Sequence, residues 1–403
     1  MTHHAPLRAA GPDDLPYAFD HLDALMERAG LDALVATSKH AVRYLLGGYH
    51  FIFFSAMDAV GKSRYLPAFV YVRGDAGQTA YFANKMEMHE HRAHPFWVPT
   101  FRPEFWGSVD TMTAVAGHLT GLGRVGIEAA FLPKDGFDAL AAGLPGAAFI
   151  DASPLLAELR MIKTPAEIAL LRAATEGIGA AMRATVAGTG EGATKFEIID
   201  RLRVEETTRG LQFEYCLLTL GDSHVRAGSG QRWRPGEVLS IDSGGNLHGY
   251  IGDICRMGVL GEPDAELEDL LAEVEGVQRA AFATIRPGAT GAEMVEAAAA
   301  ELSRGPNAAC NDFFAHGMGL ITHEAPYLMT NHPVAYDGSN ASTPLAPGMV
   351  LSVETTMQHP RRGFIKIEDT VAVTPGGHEL FGAEGRGWTR GAAAMAVPGG
   401  GQG

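Results

Sequence analysis

The stretch Leu239-Ser240-Ile241-Asp242-Ser243-Gly244-Gly245, continued by Gly249-Tyr250-Ile251-Gly252-Asp253-Ile254-Cys255-Arg256, decides the fold of the second half of the chain. Apolar and small residues alternate before Asp242, which predicts a β-strand. Gly244, Gly245 and Asn246 predict a turn, and a second strand then carries Asp253. Such a hairpin can bring both carboxylates to one point, where they repel each other unless a cation lies between them.

Three residues further along the chain offer ligands of similar chemistry, namely His316, Glu354 and Glu368. One histidine and four carboxylates suit Mn, Fe, Co or Zn better than a cysteine-rich structural zinc site would. Two ions fit if carboxylates bridge them, and such a pair can share and activate a hydroxide. Glu354 is the candidate for handling the proton, and His323 is the candidate donor to a developing oxyanion. Each residue alone has an ordinary structural explanation, so the hypothesis depends on their coincidence.

Composition limits the class of protein. The chain has 403 residues, 46% of them hydrophobic and 20% charged, which indicates a folded protein of two domains. A formal net charge of -15 argues against nucleic acid or an anionic membrane as a partner. Three widely spaced cysteines indicate a reducing compartment, and we see no signal peptide and no apolar run of membrane-spanning length. We therefore expect a soluble, cytoplasmic protein.

The first 150 residues alternate between helix and strand patterns. A helix is predicted over residues 17–28 with Gly30 as its stop, and strands over 32–37, 66–72, 79–82, 125–128 and 148–151. This alternation predicts an α/β domain that ends near Asp151. The aromatic segment 50–54 is either part of its core or, because Lys62 and Arg64 follow, a wall for substrate or for a dimer partner.

A helix start marks the boundary between the two halves. Thr164 is a good N-cap, Pro165 suits the first helical position and Glu167 completes a capping box, so a long helix is predicted through about Ala187. A faint repeat relates residues 180–197 to residues 280–293, which predicts two pseudo-symmetric halves with a site between them. We predict domains over 1–157 and 158–390, followed by a mobile Gly- and Ala-rich tail over 391–403.

The motifs now make a family resemblance specific. The hairpin resembles the D-x-G…Y-x-x-D-x-x-R signature of the pita-bread superfamily, which includes methionine aminopeptidase, aminopeptidase P, prolidase and creatinase. Residues 315–319 with 323–326 resemble its H-G-x-G…H-E-x-P segment, and 353–354 with 366–370 resemble its two Glu-bearing strands. Residues 160–167 resemble R-x-I-K-[ST]-P-x-E, and 43–49 resemble the N-terminal domain of the prolidase and creatinase branch.

The resemblance implies a creatinase-like α/β domain followed by a pita-bread α+β domain. It also implies five metal ligands, Asp242, Asp253, His316, Glu354 and Glu368, which would hold two divalent ions, manganese first and iron, cobalt or zinc as alternatives. His323 would polarise the substrate or handle a proton. A homodimer is implied by the resemblance alone.

Three departures from the family pattern lie where substrate is recognised. Residues 221–230 fill the region of the family's p-H loop and look shorter, so His224 either replaces the family histidine there or that function is absent. Thr355 follows the first glutamate ligand, where the family usually has proline. Lys366 stands in place of an arginine two residues before the last ligand, and it offers a point charge rather than a planar fork.

Three hypotheses follow. The first is a metal-dependent hydrolase of a C–N bond, similar to Xaa-Pro peptidases, in which a metal-bridging hydroxide attacks the amide and His323, Glu354 and His224 serve catalysis on a short peptide. The second keeps the fold but changes the reaction to that of a small-molecule enzyme, such as creatinase, an ectoine-type hydrolase or a dimethylsulfoniopropionate lyase. The third is a binding module that has lost catalysis, and the five intact ligand positions argue against it.

Overall fold

The computed structural model describes residues 8–56, 59, 61–330 and 337–392, so nearly all of the proposed tail lies outside the described residues. The chain divides into two compact units, of which the N-terminal unit ends at Arg160 and the C-terminal unit begins at Met161. Among the helices that the structure describes, none is long and apolar enough to cross a membrane.

The N-terminal unit is built on a six-stranded mixed sheet in the order β4-β3-β2-β1-β5-β6. Its strands are β1 (Ala33–Ala36), β2 (Ala68–Val72), β3 (Asp75–Phe82), β4 (Thr100–Arg102), β5 (Arg124–Ile127) and β6 (Ala148–Asp151). Its helices are α1 (Phe19–Ala29), α2 (Lys39–Leu45), α3 (Ile52–Ala56), α4 (Glu87–Ala93), α5 (Ser108–His118), α6 (Lys134–Gly143) and α7 (Ser153–Leu159), with a short 3-10 helix at Pro12–Asp14. The predicted α/β architecture is confirmed.

Burial explains why the N-terminal unit folds in this way. Strand β1 is central and buried at every position, as its continuous apolar pattern predicts. Gly30 ends α1 in a left-handed conformation with a φ of 65°, which glycine adopts without steric cost. In the aromatic segment, Phe51 and Phe54 are buried, which supports the core interpretation for these two rings.

The C-terminal unit is built on an eight-stranded sheet. Six strands follow the order β10-β11-β12-β9-β8-β7, while β13 pairs with β12 and β14 pairs with β9. The strands are β7 (Gln212–Leu220), β8 (Val238–Leu247), β9 (Tyr250–Val259), β10 (Asn311–Gly317), β11 (Val350–His359), β12 (Gly363–Thr374), β13 (Gly377–Leu380) and β14 (Trp388–Arg390). The helices are α8 (Pro165–Ala187), α9 (Lys195–Thr208), α10 (Ala265–Phe282) and α11 (Gly291–Leu302), with a 3-10 helix at Ala308–Cys310.

Helix starts in the C-terminal unit follow their sequence signals. The Thr164 hydroxyl accepts from the Glu167 backbone N–H, and the Glu167 side chain accepts in return, so the predicted capping box is confirmed. Thr194 and Thr290 likewise accept from backbone N–H groups three residues later and begin α9 and α11. Each copy of the faint repeat therefore forms a helix, a threonine-capped second helix and then a strand.

The hairpin that carries the two aspartates differs from the prediction in one respect. Gly244 and Gly245 lie within β8, and the turn comes later, at His248 and Gly249 with φ values of 52° and 99°. The glycines are needed for close packing, because a Cβ at Gly244 would lie 2.3 Å from the ring of Tyr215. The predicted turn at Gly244 was therefore wrong, although the two strands and their pairing were right.

The C-terminal glutamate segment forms one strand. Residues 364–373 belong to β12, which pairs with β11, the strand of Glu354, along its length. On β12, Ile365 and Ile367 join a core with Leu267 and Leu271 of α10. The alternating positions of β12 are therefore left for the polar residues of the site.

Candidate metal centre

Strand register lines up three carboxylates in one row across four strands. Asp242 on β8 pairs with Cys255 on β9, Cys255 pairs with Glu368 on β12, and Glu368 pairs with Glu354 on β11. Asp253 precedes Cys255 by two residues on β9 and therefore shares its face of the sheet. A hairpin and two further strands thus place four acids on one surface.

His316 approaches the same surface from β10. It pairs with Ser352, two residues before Glu354 on β11, and its ring is fully buried. Its Nδ1 lies 3.1 Å from the carbonyl of Gly317, while Nε2 lies 3.8 Å from Oε1 of Glu368. Within the described part of the chain, this buried Nε2 has no hydrogen-bond partner.

The five residues predicted as ligands come together. Potential ligand atoms lie within 4.8 Å of one another in three overlapping groups, which are Asp242 with Asp253 and Glu368, His316 with Glu354 and Glu368, and Asp253 with His316 and His323. All five predicted residues are buried. A buried imidazole nitrogen without a partner and four buried carboxylates fit a divalent transition-metal ion.

Lys366 lies among these carboxylates. Its Nζ is 2.7 Å from Oδ2 of Asp242, 2.5 Å from Oε2 of Glu354 and 2.8 Å from Oε2 of Glu368. Burial alone would lower the pKa of Lys366, but the three carboxylates outweigh it and raise that pKa well above its usual value. The sequence singled out Lys366 as a departure but did not predict these contacts.

The acids differ in how their environment changes their proton affinity. Burial, reinforced by Glu368, raises the pKa of Glu354 to about 7. Burial and the neighbouring carboxylates raise the pKa of Asp253 well above its usual value. Burial also acts to raise the pKa of Glu368, but Lys366 and His316 outweigh it and hold that pKa below its usual value. The surroundings therefore shift the pKa values of neighbouring carboxyls in opposite directions.

His323 stacks on His316, and a separate ion pair fixes the residue next to it. Burial, together with His316, lowers the pKa of His323 to about 3. Glu324 is buried and pairs with Lys163 at 2.9 Å, and both residues belong to motifs quoted above. The Lys163–Glu324 pair thus anchors the segment that carries His323.

A cavity of about 440 Å³ opens onto the carboxylates. It is lined by His224, Arg226, His323, Phe314, Phe364 and Tyr215 together with the acids. His224 is exposed and its ring centroid lies 6.3 Å from that of Phe364. The guanidinium carbon of Arg226 lies 4.8 Å from the Phe364 ring centroid, and Nη2 lies 3.6 Å from Oδ2 of Asp242.

Sequence reasoning missed several residues of the site. The Tyr215 hydroxyl donates to Oδ1 of Asp253 at 2.5 Å, and the Ser352 hydroxyl donates to Oε1 of Glu368 at 2.7 Å. Both contacts orient a carboxylate, as residues behind metal ligands commonly do. Ser352 could have been found from strand alternation, since it precedes Glu354 by two residues, whereas no spacing signal marks Tyr215.

With this geometry described, comparison with known proteins identifies the class. Residues 169–375 match metallopeptidase family M24, and residues 19–162 match the creatinase/prolidase N-terminal domain. The chain therefore belongs to metallopeptidase family M24 and is a metal-dependent hydrolase. The pita-bread fold and the resemblance inferred from the motifs are confirmed.

Individual relatives cover most of the chain. It is 26% identical over 375 residues to an uncharacterized peptidase, YqhT, from Bacillus subtilis, covering 90% of this chain and 96% of that protein. It is 28% identical over 232 residues to a Xaa-Pro dipeptidase from Pyrococcus furiosus, covering 55% of this chain and 63% of that protein. A solved Xaa-Pro dipeptidase from Bacillus anthracis superposes with a TM-score of 0.77 at 22% identity, covering 92% and 98% of the two chains.

Proposed function

We propose that this chain hydrolyses the peptide bond of short peptides, with Xaa-Pro dipeptides as the first substrates to test. The observation that carries the proposal is the convergence of Asp242, Asp253, His316, Glu354 and Glu368 at one buried surface beside His323. Two relatives bear the name Xaa-Pro dipeptidase, which supports the choice of substrate.

In this proposal the five residues offer two positions for divalent ions, of which manganese is the first to test. Bound ions would supply Lewis-acid activation of water and of the scissile carbonyl. Glu354 lines the cavity among the other carboxylates and would accept a proton from the attacking water and return it to the leaving amine. His323 stays neutral and can donate a hydrogen bond to the oxygen of the carbonyl under attack.

The cavity supports a small substrate with a free carboxylate. Its volume of about 440 Å³ lies at the low end of the range for small-molecule sites. Arg226 at its wall is 36% exposed, so its guanidinium is accessible to a ligand, and arginine binds carboxylates in a bidentate manner. We therefore assign Arg226 to the C-terminal carboxylate of a dipeptide and Phe364 to an apolar side chain or ring. His224 lies beside the same ring and is proposed to contact the substrate.

The test is a panel of Xaa-Pro dipeptides, with Pro-Xaa dipeptides and N-acetylated Xaa-Pro as matched controls. We expect turnover that requires added Mn²⁺ or Co²⁺ and disappears with a chelator. Asp253→Asn should lose metal and activity together, whereas Asp312→Asn changes a cavity-lining acid outside the five and should keep the metal. Bound metal without turnover of any dipeptide would remove the peptidase proposal.

One other candidate is a small-molecule hydrolase or lyase of the same fold, because residues 221–230 depart from the family's p-H loop and His224 of this segment lines the cavity. Mass spectrometry of a metabolite panel incubated with the metal-loaded protein tests it. Hydrolysis products or an alkene, with no dipeptide cleavage, would favour this candidate.

We also propose three properties of the whole protein. The cysteines Cys216, Cys255 and Cys310 are all free, which supports a reducing, cytoplasmic location. A homodimer is proposed from the family resemblance, and sedimentation measurements test it. A catalytic domain over 158–390 is proposed, and expression of that segment alone, with measurement of its metal content, tests this boundary.

A further inference from the structure

The ammonium of Lys366 lies among the carboxylates, at a position where a metal ion would be expected. Its side chain is 4% exposed, and its ammonium lies within 2.8 Å of one oxygen from each of Asp242, Glu354 and Glu368. Three buried carboxylates therefore form ion pairs with this one ammonium.

The carboxylate of Glu368 divides the site into two sides. Its Oε2 contacts Lys366, while its Oε1 accepts from Ser352 and faces Nε2 of His316 at 3.8 Å. Asp253 has a carboxylate oxygen within 4.8 Å of His316 and is held from behind by Tyr215. One side of the site therefore already contains a cation, whereas the histidine side offers an unpartnered nitrogen and two carboxylates.

An ammonium and a metal ion cannot share the same three oxygens. Divalent transition metals bind carboxylate oxygens at about 2.0–2.2 Å, well inside the distances that Lys366 makes to those atoms. Two cations in contact within a buried site would also repel strongly. We infer that Lys366 acts as an internal cation on one side of the site, so that one divalent ion binds tightly on the His316 side. A second ion binds only by displacing the ammonium.

The experiment is a metal titration of the full chain. Protein stripped with a chelator is titrated with Mn²⁺ or Co²⁺ by calorimetry, and the metal retained after gel filtration is counted by elemental analysis. We expect one retained equivalent for the wild type, with a second equivalent at least about 100-fold weaker. In Lys366→Met, which removes the ammonium and keeps an unbranched side chain, the two affinities should come within about tenfold.

The matched control is Lys195→Met. It removes another buried lysine, whose amine donates to the backbone carbonyl of Val225, and it should leave the titration unchanged. If Lys366→Met does not fold without metal, the wild-type titration decides alone, because two equivalents of similar affinity would overturn the inference.

The inference rests on the proposed metal centre and not on the proposed substrate. Two tight equivalents in the wild type, or one equivalent in a folded Lys366→Met protein, would overturn the role of Lys366 and leave the peptidase proposal standing. Absence of any metal binding would overturn both. One tight equivalent without dipeptide turnover would support the role of Lys366 and reject the substrate.

Discussion

The imidazole rings of His316 and His323 lie parallel, with centroids 3.8 Å apart and an angle of 4° between their planes. Phe314 packs beside both rings, with centroid distances of 5.4 Å and 6.0 Å. Protonating a ring in this stack would bury a positive charge beside its neighbour, which is why the pKa of His323 is low. The stack therefore presents a neutral imidazole to the cavity over the physiological pH range.

Replacing His323 tests that role. We predict that His323→Ala lowers kcat by roughly 10²–10³-fold, as the loss of one oxyanion donor does, with little change in metal content. Because the pKa of His323 is about 3, the wild-type pH–rate profile should show no limb from this group between pH 5 and 8. Steady-state kinetics with elemental analysis checks both points, and loss of the metal in His323→Ala would make His323 a ligand instead.

Arg226 is predicted to determine selectivity for a free carboxylate. A hydrogen bond to a charged group contributes about 1.5–3 kcal/mol, so Arg226→Met should raise KM for dipeptides by roughly 10–100-fold. Dipeptide amides lack the carboxylate, and their KM should change little. The measurement is KM for both substrate series with the wild type and with Arg226→Met. An equal rise in KM for dipeptides and for amides would contradict the assignment.

Glu206 should make stability depend on pH. Its side chain is fully buried, its Oε1 accepts from the Ser243 hydroxyl at 3.1 Å, and burial raises its pKa from 4.5 to about 8. Between these values the unfolded chain releases the proton that the folded protein keeps, so stability falls as pH rises from about 4.5 to 8 and then levels off.

Glu206→Gln should remove this dependence. One pKa unit corresponds to about 1.4 kcal/mol, so the wild type should lose roughly 2–4 kcal/mol more than the variant between pH 5 and 8. Urea unfolding of metal-free protein at several pH values provides the measurement. Parallel pH curves for the two proteins would show that Glu206 keeps its usual pKa in the fold.

Arg256 is predicted to be a major contributor to stability. It is 2% exposed, pairs with Asp369 at 2.6 Å and donates to the backbone carbonyls of Glu368 and Gly382. Arg256→Met should cost about 3–5 kcal/mol, because it leaves part of a buried charge without compensation. Arg279→Met, which removes an exposed i,i+4 pair with Glu275, should cost less than about 1 kcal/mol. Equal losses in the two variants would contradict this ranking.

Alternating patterns allowed the strands that carry Asp242, Asp253, Glu354 and Glu368 to be predicted, whereas His316 was identified from its glycine-flanked motif and the family resemblance. The sequence did not predict where Lys366 lies. Alternation along β12 shows which face of the sheet Lys366 occupies, but not which carboxylates the neighbouring strands place on that face. That information resides in the strand pairing. Glu354 pairs with Glu368 and Asp242 pairs with Cys255, and the pairing of Cys255 with Glu368 joins these two hairpins across more than 100 residues.

Gly244 and Gly245 also show what a local sequence pattern cannot predict. Consecutive glycines followed by asparagine usually signal a turn, and Gly244 and Gly245 were interpreted in that way. In the fold, Tyr215 packs against Gly244 and Ile178 packs against Gly245, each within 3 Å of where a Cβ would lie. The partner residues come from β7 and α8, so no local pattern could have distinguished a turn from a packing contact.

The row of paired residues that crosses β8, β9, β12 and β11 also has a consequence for synthesis and folding of the chain. Cys255 and Glu368, which join its two parts, are separated by more than a hundred residues, and pairings of such long sequence separation form slowly. A nascent polypeptide that has not yet released Glu368 from the ribosome contains the aspartate hairpin but lacks one of the five proposed ligands. If the five residues bind metal as proposed, tight binding requires that β12, the last long strand, has already paired with the sheet.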